Sequence, residues 1–227
     1  MADIIPAIMP TTVKDLENKV EKVLGAVNSV QVDVMDGKFV HGRTWPYAKQ
    51  DLYFEEMITQ DRGLPFWKEV DYEIDLMVAH PLTESKNWIL VGGGRIIAHF
   101  EAFKGLDDPE LSEYIALKNE FIEIGLAIGI DTPIDTLDSL LGSISCIQLM
   151  GIKHIGHQGE KLDERIYERV KYIRAKAPEL PISIDGGVSL DNAGSLIEAG
   201  ANRLVSGSVV FESENPLETI HMLAQSA

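Results

Sequence analysis

The chain has 227 residues, of which 45% are hydrophobic, and it carries a formal net charge of -16 at pH 7. This length fits one large domain with an ample core, and the excess of carboxylates argues against nucleic acid or an anionic membrane as a partner, because both attract clustered lysine and arginine. The single cysteine, Cys146, excludes an intramolecular disulfide, and neither a signal-like N-terminus nor a membrane-length apolar segment is found, so we expect a cytoplasmic protein.

Short runs rich in isoleucine and valine alternate along the chain with segments of helical periodicity. The predicted strands are Ile4–Ile8, Val30–Met35, Tyr72–Val78, Arg95–His99, Glu123–Ile128, Ser145–Met150, Ile182–Asp185 and Arg203–Ser206. The clearest predicted amphipathic helices are Lys14–Val27, Pro109–Glu120, Glu164–Ala177 and Leu190–Ala199. This alternation predicts an α/β protein with a parallel sheet, closed into a (β/α)8 TIM barrel that forms a single domain over residues 1–227. An open doubly wound sheet is disfavoured, because Met9–Thr12 lacks the glycine-rich turn of a dinucleotide site.

Residues at the predicted helix ends have the chemistry of caps. Thr11 or Thr12 is expected to cap the first helix, and Ser189 or Asp191 the seventh. Gly200 is expected to end the seventh helix, because glycine adopts the left-handed conformation found there.

Acidic residues occur at the predicted carboxyl ends of several strands, where a barrel of this type places its active site. Asp33, Asp75 and Asp185 are expected to point into the barrel mouth, with Asp36 and His99 at the same level. Three carboxylates in one mouth repel one another, so we expect either a cation among them or a proton on some of them at neutral pH.

Two glycine-containing strand ends near the C-terminus predict a phosphate site. Pro181–Val188 reads PISIDGGV, and Leu204–Ser208 reads LVSGS. Such neighbouring strands present backbone N–H groups at one rim, as barrels that bind phosphate after strands 7 and 8 do. Because the chain is strongly acidic, we expect backbone amides to bind the phosphate without help from basic side chains.

Over essentially its whole length the chain resembles the ribulose-phosphate 3-epimerase family. The matching segments are Ile5–Ile8, Val32–Val40, Asp75–Pro81, Ile97–Glu101, Gly125–Ile128, Asp131–Ile134, Ile184–Val188 and Val205–Ser208. The DVMDG and DGGV segments, in the second and seventh predicted strands, are the most specific of these. The resemblance implies an isomerase of carbohydrate metabolism, in the pentose phosphate pathway, that binds a sugar phosphate and forms a homo-oligomer.

The resemblance also implies roles for individual residues. Asp33 and Asp185 match the family's catalytic acid and base, which act on opposite faces of a ketopentose phosphate and also bind a divalent metal, here manganese, magnesium, iron or zinc. Gln31 and Asp75 stand where the family has two metal-binding histidines, so the implied metal ligands are Gln31, Asp33, Asp75 and Asp185. Replacing imidazole nitrogens by oxygen donors favours manganese or magnesium over zinc.

The family places a lid over the phosphate after the sixth strand. Here that segment, Met150–Gly159, is about one residue longer than in the family. The implied substrate- and phosphate-binding residues are Gly156, Gly159, Gly186, Gly187, Gly207 and Ser208. Lys153, His154 and His157 are new polar residues in this lid, and they are either solvated or involved in selecting the sugar phosphate.

Four functions remain open on these residues. The first is a 3-epimerase that interconverts D-ribulose 5-phosphate and D-xylulose 5-phosphate by a two-aspartate, metal-assisted enediolate mechanism. The changed lid, and Ala7 in place of a family serine, leave open another ketose phosphate such as a hexulose 6-phosphate. A related synthase or decarboxylase is less well supported, since Asp33–Asp36 lacks the lysine that such enzymes tend to carry. Loss of the histidines leaves open a non-catalytic sugar-phosphate-binding barrel.

Overall fold

The computed structural model describes residues 2–49, 52–157 and 159–226, so the ends of the predicted 1–227 domain and residues 50, 51 and 158 lie outside the described residues. Parallel strands form one closed barrel in chain order, with the first strand pairing with the last. The strands are β1 (Asp3–Ile8), β2 (Ser29–Met35), β3 (Asp71–Met77), β4 (Arg95–His99), β5 (Glu123–Ile128), β6 (Cys146–Met150), β7 (Ile182–Asp185) and β8 (Arg203–Ser206). The predicted TIM barrel is confirmed, and each predicted strand differs from the observed one by a residue at most at either end.

Helices pack around the outside of the barrel. They are α1 (Val13–Glu21), α2 (Leu52–Ile58), α3 (Pro81–Val91), α4 (Pro109–Ile115), α5 (Arg165–Lys176), α6 (Ala193–Ala199), α7 (Ser208–Phe211) and α8 (Pro216–Gln225), with 3-10 turns at Phe100–Ala102 and Ile134–Leu137. Two predicted helices were too long, because local turns end them early. Gly25 at φ 79° follows α1, and the Asn119 side chain accepts the amides of Phe121 and Ile122 after α4.

Two of the predicted caps are confirmed. The Thr12 hydroxyl accepts a hydrogen bond from the amide of Asp15 at 3.1 Å, at the start of α1. Gly200 ends α6 in the left-handed conformation, at φ 118°. A side chain with a Cβ meets a steric penalty there that glycine avoids.

The predicted N-terminal cap of the helix after β7, the seventh predicted helix and α6 of the structure, was wrong. Asn192 occupies the N-cap position instead of Ser189 or Asp191. Its side chain turns back toward β7, accepting from the amide of Ser189 at 2.9 Å and donating to the carbonyl of Gly187 at 2.8 Å. Asn192 therefore stabilises the turn that leaves β7, which the helical periodicity did not reveal.

Alternation along each strand separates an outer core from the barrel interior. In β2 the residues that pack under the helices are Val30, Val32 and Val34. The intervening residues Gln31, Asp33 and Met35 point inward. Strand β3 repeats the pattern, because Asp33 pairs in register with Asp75. A strand that reads as one apolar run therefore delivers its polar residues to a single surface, the inside of the barrel.

Ion pairs close the amino end of the barrel interior. Glu73 Oε1 accepts from Arg95 Nη1 at 3.0 Å and also from Arg203 Nη2. The Glu73 side chain is 4% exposed and that of Arg203 is 8% exposed. We call Glu73, Arg95 and Arg203 the floor network.

Among the described residues, no helix combines the length and the apolar character needed to cross a bilayer.

Candidate active site

A cavity of about 380 Å³ opens at the carboxyl ends of the strands. Asp33, Asp75 and Asp185 line it. The residues predicted to bind phosphate line it as well: Gly156, Gly159, Gly186, Gly187, Gly207 and Ser208. This volume is typical of sites for small molecules. The structure thus brings the predicted acids and the predicted phosphate-binding residues into one cavity.

Three aspartates from three different strands converge at the bottom of this cavity. Asp33 and Asp75 are neighbours on β2 and β3, and Asp185 reaches the same point from the end of β7. One carboxylate oxygen from each lies within 4.8 Å of the others. Asp75 is fully buried, and Asp33 is only 7% exposed. The expected gathering of carboxylates is therefore present.

The amide of Gln31 bridges two of these carboxylates. Gln31 Nε2 lies 2.9 Å from Asp33 Oδ1 and 2.8 Å from Asp185 Oδ2. An amide nitrogen has two hydrogens, so one side chain donates to both aspartates at once. This links the two residues predicted to be the acid and the base.

A second buried amide, which sequence reasoning missed, joins the same group. Gln148 lies on β6 and its Nε2 is 2.9 Å from Asp185 Oδ2 and 3.3 Å from Asp75 Oδ2. The signal was available, because a glutamine at an inward position of an apolar strand is unusual. We call Gln31, Asp33, Asp75, Gln148 and Asp185 the mouth cluster.

Burial and like charge raise the pKa of the two bridged aspartates. Burial, followed by the charges of Asp185 and Asp75, holds the pKa of Asp33 well above its ordinary value, against the hydrogen bond from Gln31. Burial and the charge of Asp75 raise the pKa of Asp185 to about 7, and Gln31 and His99 limit the increase. Both carboxyl groups therefore keep their protons to a higher pH than a solvated carboxylate does.

His99 supports the cluster from β4. It is fully buried, and its Nε2 lies 3.2 Å from Asp75 Oδ1. Burial by itself lowers the pKa of His99, but the nearby Asp75 carboxylate outweighs this effect and raises it. The ring of Phe39, from the loop after β2, lies 5.3 Å from the ring of His99.

Asp36, the other acid expected at the mouth, has a different place. Its Oδ1 accepts the amides of Lys38 and Phe39, at 2.7 and 3.1 Å. Its Oδ2 accepts the amide of Ala79 at 2.9 Å. Asp36 therefore ties the loop after β2 to the loop after β3, and it lies apart from the three clustered carboxylates.

Glycines after β7 also shape the cavity. Gly186 and Gly187 both have positive φ, 91° and 74°. A Cβ on Gly187 would lie 2.6 Å from the backbone of Leu162, which leaves no room for a side chain. The backbone after β7 therefore passes close to the chain entering α5, and its peptide groups face the cavity in place of side chains.

Described residues of the predicted lid line this cavity, and its residue Gln158 lies outside the described residues. His157 lines the cavity, whereas His154 is exposed and its Nδ1 lies 2.8 Å from Glu160 Oε1. Lys153 is exposed and does not line the cavity. Lys161, which sequence reasoning did not select, lines the cavity.

The mouth cluster has the donors that a hard divalent cation prefers. Among the described residues Gln31 Oε1 and Gln148 Oε1 are buried without a hydrogen-bond partner. In an octahedral magnesium site with bonds near 2.1 Å, adjacent ligand atoms lie about 3 Å apart. One carboxylate oxygen each from Asp33, Asp75 and Asp185 lies within 4.8 Å of the others, close enough for a single cation to contact all three. The site therefore fits a divalent cation bound through oxygen, once an amide turns its oxygen inward.

Comparison with known sequences gives a consistent result. The model of the ribulose-phosphate 3 epimerase family matches residues 3–211. The chain is 27% identical to ribulose-phosphate 3-epimerase of Bacillus subtilis, over 93% of each protein. It is 29% identical to the enzyme of that name from Eremothecium gossypii, over 96% of this chain and 89% of that protein.

Solved structures share the fold. A crystal structure of KGPDC from Streptococcus mutans superimposes with a TM-score of 0.70 at 14% identity, over 99% of this chain and 96% of that one. The 3-hexulose-6-phosphate synthase from Salmonella typhimurium gives a TM-score of 0.67 at 13% identity, over 100% and 98% of the two chains. At such identities the similarity establishes the barrel alone.

Proposed function

Because the chain belongs to the ribulose-phosphate 3-epimerase family, we propose that it inverts carbon 3 of a ketose phosphate and interconverts D-ribulose 5-phosphate and D-xylulose 5-phosphate. One observation carries the proposal. Asp33 and Asp185, from β2 and β7, share the amide of Gln31 and line one cavity that also holds the glycine-rich strand ends. Inversion needs a base on one face of the sugar and an acid on the other.

The two aspartates would act in turn on the proton of carbon 3. One carboxylate removes the proton, the electron pair forms an enediolate with the adjacent ketone, and the other aspartate returns a proton to the opposite face. The reverse reaction exchanges the two roles. A pKa of about 7 for Asp185 suits this task, because a general base works best when its pKa is near the working pH.

A divalent cation held by Gln31, Asp33, Asp75 and Asp185 would stabilise the negative charge that develops on the enediolate oxygens. The all-oxygen donor set favours manganese or magnesium over zinc. His99 lies beside the Asp75 carboxylate. This contact limits the freedom of Asp75 to turn away from Asp33 and Asp185.

The phosphate would bind beside the glycines that line the cavity. Gly186, Gly187, Gly207 and Ser208 lie there after β7 and β8, with Gly156 and Gly159 of the lid. Backbone N–H groups suit a phosphate group in a strongly acidic protein. Lys161 also lines the cavity and adds one positive charge to it.

A related synthase or decarboxylase is not favoured. Between Asp33 and Asp36 lie Val34, which packs in the outer core, and Met35, so this strand provides no lysine to the mouth. A hexulose 6-phosphate remains the second candidate substrate. Ala7 and His157 line the cavity, so both are in a position to contact a different sugar. A homo-oligomer and a cytoplasmic location stay predictions.

The test is epimerisation in heavy water. Protein loaded with manganese should convert D-ribulose 5-phosphate to D-xylulose 5-phosphate carrying deuterium at carbon 3, and a hexulose 6-phosphate assayed beside it ranks the two substrates. Asp33→Asn and Asp185→Asn should each lower kcat by at least about 10³-fold. Asp191→Asn, at an exposed aspartate, is the matched control. Turnover surviving in both cluster variants would refute the two-acid mechanism, and phosphate-ester binding without exchange would identify a non-catalytic binder.

A further inference from the structure

Gln148 is a buried polar residue that neither the predicted acids nor the predicted metal ligands explain. Its side chain is fully buried on β6, and the neighbouring interior residues Ile97, Cys146 and Met150 form an apolar cluster. Burying an amide among apolar groups costs free energy unless it is hydrogen-bonded. The hydrogen bonds it makes go to Asp185 and Asp75, so its position is linked to the mouth cluster.

The two glutamines of the cluster contact different carboxylates. Gln31 donates to Asp33 and Asp185, whereas Gln148 donates to Asp185 and Asp75. The two amides therefore meet at one atom, Asp185 Oδ2, at 2.8 and 2.9 Å. Asp33 receives a hydrogen bond from only one of them.

Two donors on a single oxygen restrict how the carboxylate can rotate. The terminal torsion of an aspartate is broad when nothing holds it. Both amides donate to Asp185 Oδ2 without a cation, and when Gln31 turns its oxygen toward a cation, Gln148 remains the amide donor that limits rotation of this carboxylate. A base must lie within hydrogen-bond reach of the proton that it removes, and a displacement of about 1 Å can cost about 10²-fold in rate.

Resting on the proposed function, we propose that Gln148 is a positioning residue that holds the Asp185 carboxylate against carbon 3 of the substrate and leaves Asp33 unaffected. Gln148 takes no proton itself. The proton moves from carbon 3 to one aspartate, and a solvent-derived proton comes from the other. Loss of Gln148 should therefore slow proton transfer by Asp185 on one face of carbon 3. Proton transfer by Asp33 on the opposite face should be unchanged.

The experiment follows hydrogen exchange at carbon 3 from each epimer separately. Wild type, Gln148→Met, Asp185→Asn and Asp33→Asn are each incubated with D-ribulose 5-phosphate or D-xylulose 5-phosphate in heavy water, and deuterium and inversion are measured by NMR. Each aspartate variant should retain exchange without inversion from the epimer whose carbon 3 hydrogen faces the remaining aspartate. Gln148→Met should favour exchange from the same epimer as Asp185→Asn does. Asp33→Asn should favour exchange from the other epimer.

The size of the effect separates positioning from general damage. We expect Gln148→Met to lower kcat about 10²-fold with KM changed less than about threefold, and its bound manganese, measured by atomic spectroscopy, to equal that of wild type. Gln148→Asn keeps a shorter amide and should recover part of kcat with the same bias. It also provides the test if the methionine variant does not fold. Gln31→Met is the matched control and should slow exchange from both epimers.

Equal slowing from both epimers in the Gln148 variants, or loss of manganese from them, would overturn the positioning role. Absence of exchange and turnover in wild-type protein with either epimer would instead refute the proposed function, so the two failures are distinguishable.

Discussion

The barrel interior contains two sets of polar residues that differ in how their charges are arranged. In the floor network, the carboxylate of Glu73 lies between the guanidinium groups of Arg95 and Arg203, so each charge has an opposite partner. In the mouth cluster, three carboxylates face one another and the donors between them are neutral amides. Paired charges support the fold, whereas like charges kept together create a site that binds a cation or moves protons.

The largest effect is expected from breaking the floor network. Glu73→Gln removes the carboxylate that the buried Arg203 and the partly buried Arg95 share, and it should lower the free energy of unfolding by about 3–5 kcal/mol. Urea denaturation measures this loss. Glu123→Gln is the matched control, because Glu123 also binds Arg95 but is 52% exposed, and it should cost less than about 1 kcal/mol. Equal losses of unfolding free energy in the two variants would show that burial does not strengthen the ion pairs of the floor network.

The mouth cluster should respond to a cation, which the floor network should not do. At pH 8, manganese at a hundred times its dissociation constant should raise the free energy of unfolding by about 2.7 kcal/mol. The increase should be kept in Glu123→Gln and lost in Asp75→Asn. Urea denaturation with excess manganese and with a chelator gives the difference. Full stabilisation of Asp75→Asn would place the cation elsewhere.

Removing one carboxylate from the mouth should stabilise the metal-free protein, in contrast to Glu73→Gln. At pH 8 Asp185 is ionised against its raised pKa of about 7, and Asp185→Asn relieves this cost. We expect a gain on the order of 2 kcal/mol, since each pKa unit corresponds to about 1.4 kcal/mol and part is lost with the hydrogen bonds from the amides. A destabilised Asp185→Asn, with Asp191→Asn unchanged, would contradict the comparison.

The smallest expected effect is a gradual change in the stability of the metal-free protein with pH. Between its ordinary pKa of 3.8 and about 7, Asp185 holds more proton in the folded chain than in the unfolded chain. The stability of the metal-free protein should therefore fall as the pH rises through this window. Asp33, with its pKa also raised, acts in the same direction. Thermal unfolding of wild type and Asp185→Asn measures it, and their difference in Tm should grow from pH 4 to pH 7. A constant difference would mean that Asp185 does not titrate there.

The strands could be predicted closely because their signal is local. Alternation in β2, with Val30, Val32 and Val34 outward, follows from the geometry of a single strand. Helix ends were less certain, since they depend on side chains that turn back on the backbone, as Asn192 does at Gly187 and Ser189.

The sequence by itself determined the barrel, the inward direction of Asp33, Asp75 and Asp185, and the glycines at the ends of β7 and β8, because strand periodicity and the position of parallel strand ends are properties of each segment. Only the tertiary structure decided that Gln31 and Gln148 meet at one oxygen of Asp185, that Asp36 binds backbone amides, and that Glu73 pairs with two arginines. These contacts depend on the stagger between strands far apart in the chain, which closing the barrel sets.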